Sequence, residues 1–160
     1  MHPESIQSTP LRGILSDLLG AYGDCPDVHH LDQCPLPNRD AITRLLGDLR
    51  EILFPGFGAR QNLRSETLEY YVADVLLRLH EQLTEQIGRA LRHSRPEAGC
   101  NWDDYRRTGQ DLAEAFLAKL PDVMHLLQAD IQAAYDGDPA AESKVETVFC
   151  YPGIEAVTIY

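Results

Sequence analysis

The residues with the means to do chemistry are few, and the most suggestive lie late, in the run YDGDPAAESKVETVFCYPG at positions 135–153. Asp138 stands directly before Pro139. A carboxylate accepts hydrogen bonds from ammonium or hydroxyl groups, and the proline ring after it restricts the backbone. The physical reading of these two residues alone is a helix cap followed by a first-turn proline. Ser143 and Glu146 follow at the three-residue spacing of a capping box.

Other candidates are weaker. Cys25, His29, His30 and Cys34 could in principle hold zinc. Their spacing is not a common paired-cysteine pattern, and the segment is rich in turn residues, so it reads as a surface loop with no metal. Phe54-Pro-Gly-Phe-Gly58 has two glycines but lacks the lysine and hydroxyl residue of a Walker loop, so it reads as a turn with aromatic anchors. His80 has no matched ligand trio in the sequence around it, and His125 beside Met124 reads as a packing or surface residue. Arg89, Arg92, His93 and Arg95 form a short basic group best explained as partners for a helix C-terminal dipole.

The elements that must position these residues are helical by periodicity. The spacing predicts helices over 6–19, from Asn38 or Asp40 to before Pro55, over 65–93 with Ser65 as a cap, over 102–119 and over 121–135. Residues 20–37 read as a long loop. The apolar faces are expected at Leu11, Leu15, Leu18 and Leu19; at Ile42, Leu45, Leu46, Leu49, Ile52 and Leu53; and at Leu68, Val72, Val75, Leu76, Leu79, Leu83, Ile87, Ala90 and Leu91. The last two helices are expected to use Leu112, Ala115, Phe116 and Leu120, then Val123, Met124, Leu127, Ile131 and Tyr135. Pro152 is placed to open one more helix. No strand–helix alternation is present, so the fold class is all-α and multi-helix. The organisation expected is an amino-terminal helix and loop (1–37), a helical core (38–137) and a last segment (138–160), which the family resemblance described below implies is substrate-facing.

A chain of 160 residues can bury a core. Its net charge of −11 opposes non-specific binding to nucleic acid. The first residues show no secretory signal pattern, no apolar run reaches membrane-spanning length, and four dispersed cysteines suit a reducing cytoplasm. The last residues, from Ile154 to Tyr160, are strongly apolar and carry no polar tail. Such a piece needs a surface to bury against, which leads to the expectation of a boundary inside a longer protein.

Taken together, Asp138-Pro139-Ala140-Ala141, Ser143, Glu146-Thr147-Val148, Tyr151-Pro152-Gly153 and Glu155-Ala156 resemble serine O-acetyltransferases. Upstream, Leu36-Pro-Asn-Arg39, Leu45-Leu46-Gly-Asp-Leu49-Arg50 and Leu53-Phe54-Pro55-Gly56 extend the resemblance to about residues 35–160. The resemblance implies the helical amino-terminal domain of a hexapeptide-repeat acyltransferase. That family transfers acetyl from acetyl-CoA, its cosubstrate, to L-serine, giving O-acetylserine for cysteine biosynthesis. It implies a left-handed β-helix domain beyond this chain that carries the catalytic histidine and its acidic partner. It also implies a homo-oligomer, and for some members a sulfhydrylase partner held by a carboxyl-terminal tail.

By the same correspondence Asp138 is substrate-binding, with Pro139, Ser143 and Glu146 in support. No catalytic, cofactor or metal residue is expected in this chain, and the 160 residues alone are expected to be inactive. The alternative is a noncatalytic helical oligomerisation or regulatory module, which the helical pattern alone fits equally.

Overall fold

In the computed structural model, which describes residues 11–96 and 101–159, every regular element among the described residues is helical and there is no strand. The chain forms two compact units that meet in sequence between Pro35 and Leu36.

In the first unit, α1 spans Leu11–Asp24 and a 3-10 turn spans Pro26–Val28. The expected start at residue 6 lies outside the described residues. The expected end at Leu19 is corrected: the helix runs five residues further, to Asp24, and the Cys25 amide still bonds the Ala21 carbonyl at 2.9 Å. A helical glycine costs only about 1 kcal/mol, whereas Pro26 cannot continue the ladder. The apolar stripe of Leu11, Leu15, Leu18 and Leu19 exists, but each of the four is exposed. A ring nitrogen of His29 bonds the Tyr22 carbonyl at 3.0 Å, and one of His30 bonds the Cys34 carbonyl at 2.8 Å.

The second unit holds the core. Its first helix, α2 (Arg39–Leu53), starts where Asn38 caps it by accepting from the Ala41 amide at 2.9 Å. It ends in the 54–58 turn, where Gly56 adopts a φ of 88° that favours glycine. The turn is tied down by Glu51, which accepts from the Ala59 amide at 2.8 Å and from the Tyr71 hydroxyl.

After a 3-10 turn at Ser65–Thr67, α3 spans Leu68–Ser94. Ser65 is therefore not its cap. It opens the tighter turn, and Thr67 precedes the helix without a side-chain capping bond. Arg92 and His93 occupy the last turn of α3, as the dipole argument requires.

The remaining helices are α4 (Trp102–Leu117), α5 (Leu120–Gly137), α6 (Lys144–Cys150) and α7 (Pro152–Ile159). Asn101 and Asp104 cap α4 reciprocally. Pro121 lies in the first turn of α5 and Pro152 opens α7.

The core joins Leu45, Ile52, Leu53 and Phe54 to Tyr71, Val75 and Leu79 of α3, and to Leu120, Leu127 and Ile154. Val75 and Leu79 have no exposed surface. Ile42, Leu46, Leu68, Leu76 and Met124 belong to the expected stripes but stay exposed.

The largest departure concerns α4. Leu112, Ala115 and Phe116 face outward, and the buried face is Tyr105, Gly109 and Ala113. The partner face of α3 contributes Thr84 and Gly88. A Cβ added to Gly109 would lie 2.6 Å from the Thr84 carbonyl oxygen and 3.0 Å from the Gly88 nitrogen. The two backbones thus approach more closely than large side chains permit, and small residues mark the contact.

Candidate functional site

Asp138 is where the helical ladder of α5 stops. It follows Gly137 with an extended backbone (φ −115°, ψ 104°). One carboxylate oxygen, Oδ1, accepts from the Ala140 amide at 2.9 Å, and the Asp138 carbonyl accepts from the Ala141 amide at 3.0 Å. That is an Asx-type bond inside a four-residue turn, with Pro139 at the position where a fixed φ helps. The expected helix cap is thereby corrected. No helix starts at Pro139, and the next one begins six residues after Asp138, at Lys144.

Ser143 does cap that helix. Its backbone is extended and its hydroxyl accepts from the Glu146 amide at 3.1 Å. The return bond of the expected capping box is displaced by one residue: the Glu146 carboxylate accepts from the Glu142 amide at 2.8 Å. Thr147, fully buried, donates its hydroxyl to the Ser143 carbonyl at 3.2 Å. Seven residues are too few for an independent helix, so α6 exists by virtue of its cap and its packing.

The far end of α6 returns to its starting point. The Tyr151 amide bonds the Thr147 carbonyl at 3.3 Å, and the Tyr151 hydroxyl donates to Asp138 Oδ2. This contact brings together two residues thirteen apart. The tyrosine hydroxyl, then the Ala140 amide, favour the ionised carboxylate and lower the Asp138 pKa below its ordinary 3.8. The same bond, followed by burial and the Asp138 charge, raises the Tyr151 phenol to about 12. At neutral pH the pair is therefore a neutral phenol and an anion. Each carboxylate oxygen has one protein donor and a further lone pair for another.

The sequence reading used Tyr151 only as part of a motif and did not foresee this partnership. Spacing carries no signal for it, because the contact depends on where α6 ends.

The other chemical candidates are placed apart from Asp138. His80 faces Glu114 of α4 at 3.2 Å. Gln110, first, and His80 together lower the Glu114 pKa. His125 is exposed on α5. Among the described residues no group of three histidine, cysteine or acidic side chains could hold a metal ion, and no helix is long and apolar enough to cross a membrane.

An apolar cleft of about 900 Å³ opens between α2, the end of α4, α5, α6 and α7, lined in part by Leu46, Phe57, Leu126, Phe149 and Val157. Asp138 and Tyr151 are not in its lining.

No family model matches the chain. It is similar to the plasmid serine acetyltransferase of Synechococcus elongatus, with 39% identity over 162 residues, covering 96% of this chain and 50% of that protein. Asp138, its turn and α6 all fall in a chain that is, along nearly its whole length, homologous to a serine acetyltransferase and spans about half the length of that relative.

Proposed function

We propose that this chain is the helical part of a serine O-acetyltransferase, and that residues 138–160 form its substrate-facing segment. The observation that carries the reading is homology to a serine acetyltransferase over 96% of the chain. The structure adds support in the Asp138 carboxylate, which is ionised, turn-mounted and has lone pairs to spare.

In the proposed reaction the serine hydroxyl oxygen attacks the thioester carbonyl of acetyl-CoA. The carbon–sulfur bond breaks, a general base takes the hydroxyl proton, and the departing thiolate becomes coenzyme A after protonation. The base and the acetyl-CoA site are assigned to the part of the longer enzyme that this chain does not span, a left-handed β-helix. Asp138 is assigned to L-serine, where its charge pairs with the substrate ammonium or accepts from the hydroxyl. Pro139 holds the turn, and Ser143 and Glu146 hold the helix that follows. The exposed apolar cleft supports the further reading that the enzyme is a homo-oligomer.

The test is steady-state kinetics of Asp138→Ala in the full-length enzyme, following coenzyme A release. Losing a charged hydrogen-bond partner should raise the serine KM by about tenfold or more. The acetyl-CoA KM should stay close to wild type, and the variant should remain folded, with only the modest loss of stability expected from its bonds to the Ala140 amide and the Tyr151 hydroxyl. A folded variant with unchanged serine dependence would falsify the assignment.

A further inference from the structure

We infer that Tyr151 is a positioning residue for serine: its hydroxyl fixes the rotation of the Asp138 carboxylate and so determines which lone pairs the substrate meets. The inference rests on the proposal that Asp138 binds serine.

A carboxylate at a turn can rotate about its terminal torsion, which has broad wells. Here it is held from two sides. The Ala140 amide fixes Oδ1 from the turn itself, at 2.9 Å. The Tyr151 hydroxyl fixes Oδ2 from across the loop. With only the first bond the group could pivot about Oδ1. With both, the carboxylate plane is set before any ligand arrives, and the ordering cost of binding falls accordingly.

The tyrosine is itself held by elements that have no other evident part in the site. Its ring is half-buried against the main core. Its amide closes α6 on the Thr147 carbonyl. Two residues earlier, Phe149 meets the Phe57 ring with centroids 5.6 Å apart. Phe57 belongs to the turn that Glu51 ties down through the Ala59 amide. The direction of the Asp138 carboxylate is thus referred to the core of the unit and not to its own turn alone.

A purely structural tyrosine that only closes the 138–151 loop would hold the fold and leave the carboxylate chemistry unchanged. Two variants separate the cases. Tyr151→Phe removes one oxygen and keeps the ring. Replacement of Tyr151 by 3-fluorotyrosine keeps the hydroxyl and makes it a stronger donor.

The readouts are the Asp138 carboxyl titration by carbon NMR in this chain, and serine kinetics in the full-length enzyme. The expected result is a higher Asp138 pKa in Tyr151→Phe, a lower one with fluorotyrosine, and a serine KM about tenfold higher in Tyr151→Phe with little change in kcat. An Asp138 titration unmoved by either variant overturns the inference, as does an unchanged serine KM in Tyr151→Phe when Asp138→Ala impairs it. If Asp138→Ala itself leaves serine use intact, the functional reading falls, and the inference falls with it as a statement about serine. The NMR titration still reports whether the phenol sets the carboxylate. If Tyr151→Phe fails to fold, the fluorotyrosine protein decides, because a missing downward shift there overturns the proposal.

Discussion

Two tyrosines are held protonated by different means. Tyr71 is pushed up to about 12 mainly by burial, then by its bond to Glu51. Tyr151 reaches about 12 mainly through its bond to Asp138. A folded value above the ordinary 10.0 means that the stabilisation is complete below pH 10 and is lost as pH rises toward 12. An ultraviolet titration should therefore show two late tyrosinates, one vanishing in Tyr151→Phe and the other in Tyr71→Phe; if both variants keep the wild-type curve, the phenols are not held in this way.

Asp138 works in the opposite sense. Its lowered value gives stabilisation that is present above the ordinary 3.8 and is lost as pH falls through the folded value. At this scale the sequence was readable for one local contact and misread for another, the Asx bond of Asp138 to the Ala140 amide. The bond from the Glu146 amide to the Ser143 hydroxyl spans three residues and follows from type and spacing. The Tyr151–Asp138 bond spans thirteen, and the placement of Asp138 in a turn needed knowledge that α6 starts only at Lys144.

The long helices were legible in approximate extent because apolar periodicity is a strong signal, whereas the seven-residue α6 is too short to show one. Their faces were less so. In α4 the large residues Leu112 and Phe116 advertise a face that is in fact exposed, while Gly109 and Ala113 go inside. Hydrophobicity alone ranks glycine poorly, yet two backbones can meet closely only where side chains are absent. The same geometry makes a prediction. Gly109→Ala would push a methyl toward the Thr84 carbonyl and the Gly88 nitrogen, which are backbone and cannot swing away. Overpacking of this kind costs about 1–3 kcal/mol. Urea unfolding should show that loss, with α3 and α4 forced apart. A variant as stable as wild type would mean that the crossing is looser than described. Ser143 contributes on a smaller scale, since an N-cap hydroxyl is worth about 1 kcal/mol.

For the molecule as a whole, two features oppose each other. A net charge of −11 repels copies of the chain. Exposed apolar residues at the cleft, among them Leu126 at 66% and Phe149 at 60%, favour contact. Salt decides between them, because the screening length falls from about 30 Å at 0.01 M to about 8 Å at 0.15 M. Sedimentation of the chain should give a higher average mass at the higher salt, and Leu126→Glu should reduce that rise. A mass that is independent of salt and of this substitution would remove the apolar surface as the cause. The cleft was not legible in the sequence, since its walls come from five helices whose relative placement no single period encodes.

The short helix α6 has one further consequence. It is anchored at one end by the Ser143 cap and at the other by the Tyr151 hydroxyl on Asp138. Any fluctuation that frees the second anchor removes the larger of the two causes that lower the Asp138 pKa and leaves only the Ala140 amide. Undocking of seven residues is therefore coupled to the uptake of a proton once the pH falls to about the ordinary carboxyl value of 3.8, and acid tilts the balance toward the undocked form. In that sense the segment is a proton-linked latch, whose catch is one phenol on one carboxylate.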